Sequence, residues 1–411
     1  MLGKSVIQAI FRPIKFNKLR VEYWDGTSET FGSEGKLIGT LTIHTEKVLA
    51  AMAKEPETGF AEAYLSGEID FAGRLHDLVL LAVQNQITTP SRTLPLLHRF
   101  VRGVTKATSI KEQRQDIHHH YDLGNDFYRL FLDPSMTYSC AYFRTPKDSL
   151  EQAQRQKVSH TLKKLNLKKG ERLLDIGSGW GELILEAATT YGVTAHGITM
   201  SEEQVKETNR RIKAAKIEKQ VSVSFLDYRE LSKTKQRYDK IVSVGMFEHV
   251  GRPNLAVFMN AVNSVLEPGG LLLLHFITQL FEGQGGSFTM KYIFPGGYIP
   301  SVRETLALLP ERNFRLLDAE NLRLHYALTL DHWADNFEKN LDDVRTIFAD
   351  PKRFGERWGG SVATEKFIRM WRLYLHGSAA NFRGGAIELH QFLISKGINN
   401  DLPLTREGWY R

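Results

Sequence analysis

Three groups of residues have the types and spacing to do chemistry. The run LLDIGSGWG puts Gly177, Gly179 and Gly181 in a turn directly after an apolar segment. A glycine turn there lets backbone approach a ligand, and a following helix would offer its free N–H groups. The bare alternative is a turn needed only for tight strand-to-helix packing. Glu248 in VGMFEHVG and His275 in LLLLHFIT form the second group. A histidine inside an otherwise apolar strand must be hydrogen-bonded if buried, and a nearby carboxylate can accept its N–H. The competing reading makes His275 a satisfied core residue and Glu248 a helix cap. The third group is His118, His119 and His120. Adjacent side chains diverge and no acidic cluster completes a ligand set, so no metal is expected. Cys140 is the only cysteine. With no base expected beside it, it reads as a small buried apolar residue rather than a nucleophile.

The glycine turn discriminates among ligands. The dinucleotide fingerprint G-x-G-x-x-G requires glycine where this chain has Glu182, and an acid ~20 residues on. The next strand instead ends Gly197-Ile198-Thr199 without a carboxylate, which disfavours NAD. No Gly-Lys-Ser/Thr follows the turn, so a P-loop is absent.

These residues need a scaffold, and the pattern from Leu150 onward supplies one. Helices are expected over 150–165, 182–191, 202–215 and 253–266, and strands over 171–176, 193–199, 221–226, 239–244 and 271–277. Strands alternating with helices at this spacing imply right-handed crossovers and a parallel sheet covered on both faces. The fold class is therefore α/β, a doubly wound, Rossmann-like sheet, with a smaller N-terminal α+β domain. In that smaller part VEYWDGTSETF reads as a hairpin around Asp25-Gly26, and 45–53, 59–65 and 75–86 read as helices. Pro90, Pro95 and a polar, basic stretch to Gln115 read as a linker, dividing the chain into 1–115 and 116–411.

LLDIGSGWG is similar to the first motif of class I S-adenosylmethionine-dependent methyltransferases. On that reading Gly177 and Gly179 accommodate the cofactor, and Thr199 and Gln204 of GITMSEEQ supply the polar contacts that an acid after the second strand usually makes. Asp227 and Tyr228 would give an acceptor for the adenine amine and a stacking face. The plain alternative is a surface aspartate beside a half-buried tyrosine. Further segments extend the likeness: IHHHYDLGNDFYRLF, MTYSCAYF, VGMFEHVG, FPGGYIPS and RMWRLYLHGSAANFRGGAIELHQ. Together and in order they closely resemble the cyclopropane-fatty-acyl-phospholipid synthases.

That resemblance implies transfer of the S-adenosylmethionine methyl carbon to a cis double bond of a phospholipid acyl chain, with closure to a cyclopropane. An alkene is a poor nucleophile and the adduct is a carbocation, so the site has to be dry, electron-rich and supplied with a base. Aromatic faces stabilise cations by about 0.5 to 2 kcal/mol each, which makes Tyr121, Tyr138, Phe143, Tyr292, Phe294, Tyr298 and Tyr326 candidate wall residues. The resemblance names bicarbonate as the base. It matches Cys140 and Ile277 to backbone contacts with that ion, and Glu248, His275 and Tyr326 to side-chain contacts; Tyr138 and Ser139 go with the cofactor. Relatives carry a second cysteine where this chain has Ser378, which excludes a thiol mechanism at that position. A rival within the same chemistry is an olefin methyltransferase that gives a methyl-branched or methylene product.

Composition bounds the partners. Lys and Arg number 54 against 47 Asp and Glu, a net charge of +7 that favours an anionic membrane surface. The first 20 residues interleave Lys4, Arg12, Lys15, Lys18 and Arg20 with apolar residues, a pattern that suits lipid or a basic arm packed on its own domain. The groups Lys163/Lys164/Lys168/Lys169 and Arg210/Arg211/Lys213/Lys216 could share the lipid surface or be solvated helix faces. No apolar run approaches ~20 residues, and no signal peptide is read at the start. The expectation is a cytoplasmic enzyme held peripherally at the inner face of the membrane, acting on unsaturated phospholipid. By resemblance it is a homodimer whose first ~115 residues bind lipid. No nucleic-acid module is recognisable.

Overall fold

The structure is a computed structural model that describes residues 2–87, 123–283 and 287–410. They cluster into two compact units that cut the chain differently from the expected 115/116 division, which itself lies outside the described residues. The first unit comprises 2–87, 287–295 and 327–386, and the second 123–283, 296–326 and 387–410.

In the first unit, β1 (Phe16–Glu22), β2 (Ser28–Phe31), β3 (Glu34–Ile43) and β4 (Ile69–Gly73) form a sheet in the order β2-β1-β3-β4. The expected hairpin is present, with Leu19 opposite Phe31 and Glu22 opposite Ser28. Its turn closes by Tyr23 N–H donating to Thr27 O at 2.9 Å, while Asp25 Oδ1 accepts from Thr27 N–H at 3.1 Å. The N-terminal arm is a helix, Leu2–Phe11. Ile7, Phe11 and Ile14 are buried in the unit's own core, so its apolar side is already occupied. Phe16 is 55% exposed, and Lys15 and Lys18 lie on either side of it in the chain.

The helices late in the chain belong to this unit too, which the sequence reading missed. Ser361–Gly384 buries Phe367, Ile368, Trp371 and Leu375. Its Arg369 donates to Tyr64 O at 2.5 Å and Ile69 O at 2.7 Å, with the guanidinium 4.1 Å from the Tyr64 ring centre. Contiguity in sequence therefore does not define this domain.

The second unit carries a seven-stranded sheet, β10-β11-β9-β8-β5-β6-β7. Its strands are β5 (Arg172–Ile176), β6 (Thr194–Thr199), β7 (Val221–Phe225), β8 (Tyr238–Val244), β9 (Leu266–Thr278), β10 (Phe314–Asn321) and β11 (Glu388–Lys396). β5 to β9 pair in parallel as expected, and β11 runs antiparallel to both β9 and β10. Neither β10 nor β11 is expected from the sequence pattern. That pattern also ends a helix at Pro268-Gly269-Gly270, whereas β9 already begins at Leu266.

Helices Glu182–Tyr191, Glu202–Ala215 and Leu255–Val265 and the flanking segments cover both faces of this sheet, giving two apolar cores. From β5 the chain steps to β6 and β7 on one side, then returns to β8 and β9 on the other. That reversal opens a crevice outside the carboxyl ends of β5 and β8, where doubly wound sheets bind ligands.

Candidate active site

At the end of β5 the chain turns through Gly177, Gly179 and Gly181 with φ of +87°, +54° and +88°. L-residues avoid this region, and a Cβ on Gly177 would also lie 2.8 Å from Met246 Cβ. The N–H groups of Gly177 and Ser178 donate to Ile198 O at 2.9 and 3.1 Å, which fastens the turn to β6.

Gly177, Gly179, Thr199, Gln204, Asp227, Tyr228, Tyr138 and Ser139 all line a single cavity over this turn. Residues far apart in the chain converge there because each follows, or packs on, a strand's carboxyl end. Thr199 Oγ1 donates to Gln204 Oε1 at 2.6 Å, so the two residues named as substitutes for the usual acid are already coupled. Asp227 is more committed than expected. Its Oδ1 accepts from Arg229 N and Nε at 2.9 and 2.8 Å, and its Oδ2 accepts from Arg229 Nη2 at 2.7 Å. Tyr228 is buried rather than half-buried, edge-on to Phe258 at 5.3 Å. Tyr138 packs against Tyr128 and Phe131 at 5.5 and 6.0 Å.

Two ionisable residues of the same wall escaped the sequence reading. Lys157 and Asp175 both line the cavity and are both buried. Lys157 Nζ donates to Ser139 Oγ at 3.1 Å. Burial pushes the Asp175 carboxyl up to about 7 against the pull of the Lys157 cation. Burial also lowers Lys157, opposed by Asp133, Cys140, Asp175 and Glu182. Among the described residues, Asp175 Oδ1 and Ser178 Oγ have no hydrogen-bond partner. Buried polar atoms are rarely left so unless a ligand or water completes them. A ligand with an ammonium and a carboxylate, such as the amino-acid end of S-adenosylmethionine, has the groups this wall lacks. Asp175 lay within the quoted glycine motif; Lys157 gave no signal beyond its place on a helix.

The second cluster sits beside that cavity. Glu248 lies in a short 3-10 turn after β8 and is buried. Its Oε1 accepts from Ile277 N–H at 2.7 Å, so the backbone donor assigned to a bound ion is instead held by this carboxyl. Burial pushes Glu248 up to about 7, against the stabilising Ile277 N–H. His275 precedes Ile277 by two on β9, and so shares its face of the strand. Its Nδ1 is 3.0 Å from Gln391 Nε2. Burial, then the cations Lys157 and Lys164, hold His275 well below its ordinary value, so the ring is neutral. Glu248 Oε2 and His275 Nε2 are both buried and lack a hydrogen-bond partner among the described residues.

Cys140 is buried in a segment held on both sides. Gln154 Nε2 donates to Ser139 O at 2.9 Å, and Phe143 N–H donates to His325 Nδ1 at 3.0 Å. The Tyr142 ring lies between His160 and His325, at 4.3 and 4.7 Å. Tyr326 follows His325 directly, which ties it to the same segment. Cys140, Glu248, His275, Ile277 and Tyr326 are not themselves among the cavity-lining residues, whereas their neighbours Ser139 and His249 are.

The wall candidates separate. Tyr298 donates its hydroxyl to Glu304 at 2.7 Å and its N–H to Glu248 O at 2.8 Å. Phe143 is buried in the second unit, while Tyr292 and Phe294 fall in the first. Tyr121 and His118 to His120 lie outside the described residues. The lysine group around 163–169 divides: Lys168 and Lys169 are exposed, whereas Lys164 is fully buried and pairs with Asp318 and Glu320 at 3.2 and 2.5 Å.

A family model described as mycolic acid cyclopropane synthetase matches residues 108–392, and a domain of unknown function matches 6–91. A probable fatty acid methyltransferase of Pseudomonas putida is 36% identical over 404 residues, covering 96% of both chains. The cyclopropane-fatty-acyl-phospholipid synthase of Escherichia coli is 38% identical over 288 residues, covering 70% of this chain and 69% of its own. Among solved structures, the cyclopropane synthase MmaA2 from Mycobacterium tuberculosis superposes with TM-score 0.62 at 33% identity, covering 69% of this chain and 98% of that one. CmaA1 complexed with SAH and CTAB gives 0.60 at 31% identity, covering 69% and 98%.

Proposed function

The chain belongs to the mycolic acid cyclopropane synthetase family, and from that premise we propose that it builds a cyclopropane on the cis double bond of an unsaturated phospholipid acyl chain. It is an S-adenosylmethionine-dependent methyltransferase acting on lipid. The cosubstrate supplies an electrophilic methyl carbon: the alkene forms a new C–C bond to it as the C–S bond breaks. The resulting cation loses a proton from the transferred carbon, and that electron pair closes the ring.

The residues divide this work. Gly177 and Gly179 leave room for the cosubstrate, Lys157 and Asp175 meet its charged amino-acid end, and Asp227 and Tyr228 meet its base. Glu248 and His275 would hold bicarbonate, which supplies the base. The observation that carries this reading is the pair of orphaned buried atoms, Glu248 Oε2 and His275 Nε2, on adjacent strand ends beside the cosubstrate cavity. A neutral imidazole donor and a carboxyl in its protonated form can both hydrogen-bond a small oxyanion without repelling it, and burial raises Glu248 toward that form.

A second reading is an olefin methyltransferase giving a methylene or methyl-branched chain, favoured by the fatty acid methyltransferase that matches 96% of this sequence. One experiment separates them. The protein is incubated with methyl-labelled S-adenosylmethionine and vesicles of monounsaturated, anionic phospholipid, with and without bicarbonate. A labelled product that resists ozonolysis, has two hydrogens fewer than a saturated methyl-branched chain by mass and needs bicarbonate supports the ring; an ozonolysis-sensitive exocyclic alkene or the saturated branched chain supports the alternative. No label in lipid under either condition refutes both. Among the described residues no helix is long and apolar enough to cross a membrane. The proposal therefore includes peripheral attachment to lipid through Lys15, Lys18 and the exposed Phe16.

A further inference from the structure

β11, absent from the sequence reading, brings Gln391 directly opposite His275 on β9. Both side chains are at most 1% exposed. Gln391 Nε2 lies 3.0 Å from His275 Nδ1 and 3.4 Å from Thr161 Oγ1, on the helix Leu150–Lys164. We infer that Gln391 is a positioning residue that fixes the tautomer of His275, directing its one proton to Nε2 so that the ring presents a donor to the active site. The inference deepens the function proposed above and rests on it for its catalytic consequence alone.

Donor and acceptor matching sets the tautomer. A neutral imidazole has one N–H and one lone pair. An amide N–H that points at Nδ1 requires the lone pair there, which leaves the proton on Nε2. That nitrogen and Gln391 Oε1 are both buried with no partner among the described residues, so what Nε2 faces in the working enzyme has to be an acceptor. His275 then cannot accept the substrate's proton through Nε2, because its free lone pair is engaged by Gln391. Its role reduces to hydrogen-bonding an anion, and deprotonation falls to another group. Thr161 holds the amide in place as a second acceptor, so the orientation of Gln391 is set from the helix as well as from the sheet.

The test reads the tautomer first. Full-length protein labelled with 15N-histidine is studied by long-range proton–nitrogen correlation, with His275 assigned by the signals that H275N removes. The expected result is a protonated Nε2 and an unprotonated, hydrogen-bonded Nδ1. A proton on Nδ1 in the wild-type protein overturns the inference and needs no variant. Q391M, close in volume and without the donor, should lose the Nδ1 hydrogen-bond shift and lower kcat about 10- to 100-fold, as loss of a ligand-orienting partner typically does. KM for S-adenosylmethionine should stay unchanged. A Q391M protein that keeps both the wild-type Nδ1 shift and kcat also overturns it. Should wild-type protein transfer no label to lipid, the functional proposal fails while the tautomer remains readable. A correct product with the wrong tautomer sinks the inference alone.

Discussion

Glu248→Gln separates the chemistry of the site from its stability cost. Burial moves this carboxyl from the usual 4.5 to about 7. At ~1.4 kcal/mol per pH unit, that rise corresponds to about 3 kcal/mol of preference for the protonated form in the folded state. The sign follows from linkage. A group whose folded value is raised contributes fully below the unfolded value, and that contribution is lost as pH climbs through the folded one. Between pH 4.5 and 7, then, wild-type protein loses up to about 3 kcal/mol at this position. Glutamine is neutral throughout and retains the oxygen that accepts from Ile277 N–H at 2.7 Å. Urea unfolding at pH 4.5 and pH 8 should find E248Q close to wild type at the lower pH and more stable by roughly 2 to 3 kcal/mol at the higher. Asp175, also raised to about 7, contributes equally to both proteins and cancels in the difference. Methyl transfer by E248Q should meanwhile fall at least 100-fold, with S-adenosylhomocysteine binding preserved in calorimetry. Identical pH dependence of stability in the two proteins would refute the claim that this carboxyl is desolvated and held protonated.

Other expectations follow from the same geometry. Gly177→Val places a β-branched residue at φ +87° with its Cβ 2.8 Å from Met246, so equilibrium dialysis should find cofactor binding weakened at least tenfold. Wild-type affinity in that variant would show that the turn tolerates a side chain. Lys164→Met strands Asp318 and Glu320 in a buried setting. Arg406 at 2.6 Å and His160 at 2.7 Å remain as partial partners, so the loss should sit near 3 kcal/mol by urea denaturation; a change below 1 kcal/mol would mean the pair is solvated. Charge reversal at Lys15 and Lys18 should weaken sedimentation with anionic vesicles, and the difference should vanish in high salt. Equal binding by the reversed protein would remove the first unit's basic edge from the lipid contact.

The readable parts of the chain share a property: their signals are local. The glycine motif, the five alternating strands and the helices between them follow from hydrophobic period and turn chemistry within about 15 residues. Glu182–Tyr191 and Glu202–Ala215 begin and end where the sequence places them because Gly192 closes the first and a Ser201 cap opens the second. β10 and β11 carry no comparable mark. They pair antiparallel with partners 69 or more residues away, and their apolar residues read equally well as helix. Lys164 shows the same limit. Four lysines within seven residues look like a solvated face until Asp318 and Glu320 arrive from β10.

Sequence alone determined that this protein has a doubly wound domain with a glycine turn at its cofactor edge, and that Glu248 follows one strand and His275 lies within the next, both toward the carboxyl edge. Those facts depend on residue type and spacing, which the chain carries within each segment. Tertiary structure alone decided the rest: that Ile277 N–H belongs to Glu248, that Lys157 and Asp175 face the cavity, and that Gln391 opposes His275. Each of those depends on which distant segment supplies the one missing donor or acceptor in a space closed to water. That choice is made by packing, where a buried polar atom takes whatever partner the neighbouring strand or helix brings within 3 Å.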